Sequence, residues 1–455
     1  MAMFGWLASL TARLKKGGSE RLSEKTFAPS GPGLERAPKI VLARLVHDKG
    51  AAVHQHLGKL LVEISGVEVF RRKETLTLPD GIADPVEQLF QAAEEGAAWL
   101  QEEAGDILVW GEIDKEGNRL TLRLLPAPGG DGDTPGVGET LEIPADFGDA
   151  FETLIKAAVI GVFGPTFKGA RAGLGETLGG YLEQTALLIE SPPPGLSDAQ
   201  AVSIFNVIGN IFVAYSNMGG GPKQLSPAVK AYKEAEKRVA KDSQPLVWAR
   251  IQNNLAAVLM VRGQKEKEAK HLRSAALIYS TIAAHLSPSA HTNDWAGAQT
   301  NLAKSLYVLA GAEAKPEYME RAVEAYEAVL GVYDQTRMPG RWAEVTNQYG
   351  VLLLAMGEEM GGREALERAV EKFRAAMKVH NRERAPLLWA KTANNLGAAC
   401  FALAKRNSQN TLLREASDCF EGATAIYREQ GIPKQAQVIE KNMHRVQRLL
   451  TTRGG

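Results

Sequence analysis

Asparagine recurs in this chain at a spacing that composition alone does not produce. Asn253 and Asn254, Asn301, Asn347 with Gln348, and Asn394 with Asn395 fall at matching places in four strings: WARIQNNLAAVL from Trp248, WAGAQTNLAKSL from Trp295, WAEVTNQYGVLL from Trp342 and WAKTANNLGAAC from Trp389. A carboxamide offers two N–H donors and an acceptor oxygen, so a row of them can satisfy the backbone of a segment laid across it. The same groups can instead bond to one another across packed helices, which leaves no ligand site. Arg250, Lys304 and Lys391 lie two or nine positions after the Trp of their strings and add positive charge beside the amides.

Catalytic and metal chemistry finds less to work with. Asp131, Asp133, Gly136 and Glu142 match positions 1, 3, 6 and 12 of a calcium loop, but Pro135 stands where an oxygen ligand is needed and the flanks read as strands. His54 and His56 are two apart on a predicted helix and diverge, so a shared metal is not expected. The glycines from Gly169 to Gly180 spell neither a dinucleotide fingerprint nor a phosphate loop, and read as a flexible helix junction. Cys400 takes a position that is Leu259, Leu306 and Leu353 in the other strings, and Cys419 adjoins Phe420; both read as small core hydrophobes. The expectation is a chain that is not an enzyme and has no cofactor and no metal.

The elements that position the amides follow from the repeat. The four tryptophans are 47 residues apart, and 31 residues after each stands an aromatic: Tyr279, Tyr326, Phe373 and Phe420. Four residues before each aromatic is an alanine: Ala275, Ala322, Ala369 and Ala416. One period earlier the same ruler finds Gly209, Ala228 and Tyr232, so a Trp-less unit begins near Ala201 and carries Asn206 at the amide position. One period later, Asn442 marks a last half-unit, the expected cap of a stacked array. Each unit reads as two helices. Trp, Leu and a small residue line one face of the first, the A-x-x-x-[YF] pair lines the second, and the tandem is an α-solenoid.

Leu-Gly or Leu-Ala followed by A-x-x-x-[YF] resembles the tetratricopeptide repeat over residues 201–450, with a period of 47 in place of the usual 34. The string N-N-L-[AG] is similar to that of peptide-binding tetratricopeptide proteins such as kinesin light chains. The resemblance implies that Asn254, Asn301, Gln348 and Asn395 line a concave groove, with Arg250, Lys304 and Lys391 as neighbouring cations.

Residues 39–145 alternate strand, helix, strand and helix before three further strands, which implies a small mixed sheet. The run from Ala104 through DILVWGEI to NRLTLRLL resembles the TolB amino-terminal-type domain that precedes tetratricopeptide arrays in some bacterial signalling proteins. The fold expected is α/β plus all-α: a small mixed α/β sheet domain, then a right-handed TPR-like α-solenoid. Its parts are a tail over 1–38, an acidic domain over 39–145, a helical connector over 146–200, five repeats over 201–435 and a capping helix over 436–455.

Composition adds an asymmetry. The 53 basic and 53 acidic residues cancel, yet residues 1–200 hold 19 basic and 29 acidic side chains, and residues 201–455 hold 34 and 24. The balance argues against a wholly basic nucleic-acid binder, and the array lacks a dense basic or aromatic stripe, so nucleic acid is disfavoured as a partner. A protein or peptide of acidic character is favoured, including association between this protein's own acidic and basic halves. No stretch is a clear membrane span, the closest being Ile204–Tyr215, and residues 3–16 have the spacing of a short amphipathic helix that could touch a membrane surface. Two cysteines and no leader pattern point to the cytoplasm. The reading is an interaction scaffold or adaptor. The alternatives are a regulatory or assembly subunit whose acidic domain docks on an array, and an enzyme with its site in the α/β domain.

Overall fold

The computed structural model describes residues 37–82, 85–127, 139–163 and 171–454. The amphipathic segment 3–16 and the calcium-like Asp131, Asp133 and Gly136 lie outside these residues.

Five strands form one sheet: β1 (Lys39–Arg44), β2 (Glu68–Thr75), β3 (Ile107–Ile113), β4 (Arg119–Pro126) and β5 (Glu139–Pro144), in the order β2-β1-β3-β4-β5. β1 pairs in parallel with β2 and β3, while β3–β4 and β4–β5 are antiparallel. Helices α1 (Ala52–Val62) and α2 (Pro85–Glu102) make the two parallel crossovers. Because strand side chains alternate, Ile40, Leu42, Ile107 and Val109 face one layer with Leu57 and Leu61 of α1, while Val41, Leu108 and Trp110 face another with Ala92 and Ala93 of α2. A strand covered on both faces must be apolar throughout, as the Ile-Val-Leu-Ala run of β1 is.

The rest is helical and stacks in pairs. α3 (Asp149–Phe163) and α4 (Arg171–Glu190) precede α5 (Asp198–Tyr215) and α6 (Leu225–Glu236). Then follow α7 (Pro245–Glu266) with α8 (Ala269–His285), α9 (Thr292–Glu313) with α10 (Glu317–Val332), α11 (Pro339–Glu359) with α12 (Arg363–Met377) and α13 (Pro386–Asn407) with α14 (Asn410–Glu429). A single helix, α15 (Pro433–Thr452), closes the stack. Proline at the first position of α7, α11, α13 and α15 fits a site whose N–H has no intrahelical partner.

In three of the five units the eighth position after the unit's start is glycine, which allows ring-on-backbone packing; the other two have Ala256 and Ala303 there. A Cβ on Gly209, Gly350 or Gly397 would come 2.4, 2.7 or 2.9 Å from the ring of Tyr232, Phe373 or Phe420 in the partner helix. First helices of neighbouring pairs pack against one another at α5–α7, α7–α9 and α11–α13, which sets α7, α9, α11 and α13 along one face of the array, the inner face.

One apolar core runs from the sheet through α3 and α5 into the array, from Ile40 and Ile143 through Phe151, Ile204 and Ile208 to Val446. α5 with the turn after it (Asp198–Gly220) has a mean hydropathy of 1.3 and the length to cross a membrane. Its apolar surface is consumed by packing: Ile204, Phe205, Val207, Ile208, Ile211 and Phe212 are buried between sheet and array. The glycines Gly173 to Gly180 lie within α4, where Gly179 admits the ring of Tyr215 from α5.

Candidate inner-face site

The asparagines of the repeat meet one another. Asn254 Nδ2 donates to Asn206 Oδ1 at 2.9 Å, Asn301 Nδ2 to Asn253 Oδ1 at 2.9 Å, and Asn395 Nδ2 to Asn347 Oδ1 at 3.2 Å. Each rung joins the sixth position of one unit to the fifth of the unit before, so the amides form a ladder across the first helices. A rung uses one donor and one acceptor, and Asn253, Asn254, Asn301, Asn394 and Asn395 remain half-buried, which leaves carboxamide capacity at the surface.

The ladder is interrupted between α9 and α11. There the fifth position is Thr300, and Gln348 turns back along its own helix, donating from Nε2 to Glu344 Oε1 at 3.2 Å. Gln348 is 7% exposed, and its Oε1 is buried with no hydrogen-bond partner. A buried acceptor left unsatisfied costs about 1–3 kcal/mol, so this oxygen is a place where an incoming donor gains.

Charge gathers around the same gap. Lys304 on α9 and Lys391 on α13 are half-buried, Glu344 on α11 is exposed between them, and Arg250 on α7 is exposed. Burial pulls Lys304 down to about 8, against the pull of Glu344 and with the push of Lys391. Burial likewise lowers Lys391, again opposed by Glu344. His380 backs this region, with Nδ1 2.8 Å from Thr392 Oγ1, and burial lowers its pKa.

Glu344 was not among the residues singled out from sequence, although the second position that marks Arg250 and Lys391 marks it too. Also missed were Ser203 and Asn210, at the second and ninth positions of the first unit. Ser203 Oγ accepts from the Glu142 N–H at 2.9 Å and donates to the Thr140 carbonyl at 3.1 Å; Asn210 Nδ2 donates to Glu139 Oε1 at 2.5 Å. Tyr232 OH in turn donates to Asn210 Oδ1 at 2.5 Å. The Glu139 carboxyl is enclosed at this junction although the residue keeps some exposed surface, and burial raises its pKa to about 7.

The remaining candidates are dispersed. His56 Nε2 lies 2.8 Å from Glu152 Oε1, whereas burial lowers the pKa of His54. At the carboxyl end of β1, Asp48 accepts from the His54 N–H at 2.7 Å, so the start of α1 already holds an anion. Cys400 is fully buried and burial raises both thiols, Cys419 to about 12, away from thiolate chemistry. Glu266, Glu268 and His271 converge at the turn between α7 and α8, where Arg262 and Lys270 already pair with the two carboxylates.

No protein-family model and no curated protein matches the chain. Among solved structures it is similar to a circular tandem repeat protein with novel repeat topology, at 15% identity over 67% of this chain and 80% of that one, with a TM-score of 0.30. It is also similar to a Rap protein complexed with competence and sporulation factor, at 11% identity over 68% and 89%, TM-score 0.25. A de novo designed helical repeat protein matches at 17% identity over 60% and 98%, TM-score 0.16.

Proposed function

We propose that the chain is a non-catalytic interaction scaffold of the cytoplasm, which holds a segment of a partner protein on the inner face of its helix-pair array. The observation that carries the reading is the amide ladder: carboxamides, most of them half-buried, at one height on the first helices, broken only between α9 and α11 and flanked by Arg250, Lys304 and Lys391. Side chains of this type match the alternating donors and acceptors of a peptide backbone, and binding needs no further chemistry. The tetratricopeptide-like pattern agrees with that role.

The test is selection of a displayed random twelve-residue peptide library on the full chain, followed by binding to a variant with Ala257→Trp and Ala398→Trp. Both alanines are half-buried at the ninth position of their units. Selected peptides are expected to lose at least tenfold in affinity for the variant while its helical circular dichroism is unchanged. Full retention, or no selected peptide at all, contradicts the reading.

A further inference from the structure

The charge asymmetry of the sequence survives folding. Residues 1–200 hold 29 acidic side chains against 19 basic and residues 201–455 hold 34 basic against 24 acidic, yet among the described residues one ion pair joins the two sides, Lys230 with Glu190. The excess of each sign is therefore left at the surface, and two helices at opposite ends of the packing order carry it as stripes. α15 closes the array against α14 and α13 and buries Ala436, Ile439 and Val446. Opposite these residues, Lys434, Lys441, Arg445 and Arg448 follow one another at spacings of seven, four and three, so they stand on one outward stripe. All four are exposed and have no ion-pair partner among the described residues; the one acidic residue of α15, Glu440, is off the stripe and pairs with Arg428.

α2 is the complementary surface. It covers the face of the sheet that α1 does not, setting Ala92, Ala93 and Leu100 against Val41, Leu108 and Trp110. Its 18 residues include four glutamates and no Lys or Arg. Glu87, Glu94, Glu95 and Glu102 are all exposed on the side away from the sheet; Glu102 pairs with Arg72, and the other three have no ion-pair partner among the described residues. The stripes match in length as well as in sign: at a rise of about 1.5 Å per residue, Lys434 to Arg448 spans about 21 Å and Glu87 to Glu102 about 22 Å. Along both, charges recur about every two turns. Val438, 60% exposed in the basic stripe, and Ala98, exposed in the acidic one, are small apolar side chains that let two helices approach.

Each helix is fixed by packing on its own side of the folded body, so the acidic and basic stripes meet through a second copy. We propose that α15 of one chain docks along α2 of another, with Lys441, Arg445 and Arg448 set against Glu87, Glu94 and Glu95. Like charges oppose α15 on α15 and α2 on α2, which selects the head-to-tail pairing. Exposed ion pairs are individually weak and are screened over about 10 Å or less at ordinary salt, so the contact is reversible and salt-sensitive. It does not depend on what the inner face binds.

The test is sedimentation velocity of the full chain at rising protein concentration, in about 50 mM and about 500 mM NaCl. The sedimenting mass is expected to grow with concentration at low salt and to return to that of a single chain at high salt. Two variants, Glu87→Lys with Glu94→Lys and Lys441→Glu with Arg445→Glu, are each expected to weaken the association at least tenfold while their melting curves match that of the parent. Mixed in equal amounts, the two are expected to associate again, because each then offers the sign of charge that the other has lost. A parent that stays single at low salt, an association that either variant leaves unchanged, or a mixture that remains single overturns the proposal. A single parent that binds a single-stranded oligonucleotide, and loses it on Lys441→Glu with Arg445→Glu, assigns the basic stripe to nucleic acid and overturns it as well.

Discussion

Small differences at single positions decide how closely the helices of a pair approach. Gly397 has the Phe420 ring where a Cβ would lie, at 2.9 Å, whereas a Cβ at Gly297 or Gly311 meets nothing within 4 Å. Gly397→Ala is therefore expected to destabilise by about 1–3 kcal/mol through overpacking. Gly297→Ala is expected to stabilise by about 0.5–1 kcal/mol, since alanine orders a helix more readily than glycine. Urea midpoints of the two variants check the opposite signs. The buried carboxyl of Glu139 gives a pH test. Its folded pKa of about 7 is above the ordinary carboxylate value, so its contribution is intact below the unfolded pKa and is lost as pH rises through about 7. Glu139→Gln keeps an acceptor for Asn210 and is expected to flatten the fall in melting temperature between pH 5 and pH 8. An unchanged slope would place the raised pKa elsewhere. Residue type told only part of the story at this scale. The asparagines were visible, but that they bond to each other in rungs depends on a one-residue offset between units that only packing reveals.

The turns between the helices of each pair repeat as faithfully as the helices. Lys267, Ala314, Gly361 and Ser408 each end a first helix with a positive φ of 57°, 54°, 76° and 56°, and they are 47 residues apart. A left-handed residue after a helix turns the chain back to satisfy the last carbonyls, and only glycine does so without a Cβ penalty of roughly 1–2 kcal/mol. Lys267→Gly and Ala314→Gly are each expected to raise stability by up to about 1 kcal/mol, while Gly361→Ala lowers it by a similar amount. Thermal melts of the three variants provide the check. These turns were not legible beforehand, because four different residue types fill one backbone state. The helices were legible, because their Trp, small-residue and aromatic positions are fixed by packing and recur in kind. The strands of the sheet were legible for a related reason: the alternation of Leu120, Leu122 and Leu124 with polar neighbours, and the unbroken apolar run of β1, follow from which faces are covered.

At the scale of the molecule, the charge split near residue 200 marks where the array begins, and one ion pair, Lys230 with Glu190, crosses it, but most of the contact between its two sides is apolar. It runs through a continuous apolar core and the bonds of Ser203 and Asn210 to β5. Non-local contacts of this kind leave no pattern in a single sequence, since Ser203 and Thr140 are 63 residues apart and neither type is distinctive. The consequence is an inner face whose first unit is filled and whose later units present amides and lysines. The most direct measurement of the binding surface is photo-crosslinking of a library-selected peptide to chains carrying p-benzoylphenylalanine in place of Val351, in the inner stripe of α11, or of Leu277, which is 69% exposed on the second helix α8. The expected result is a crosslink from position 351 and none from position 277; a crosslink from 277 alone would contradict the inner face as the place where this protein binds.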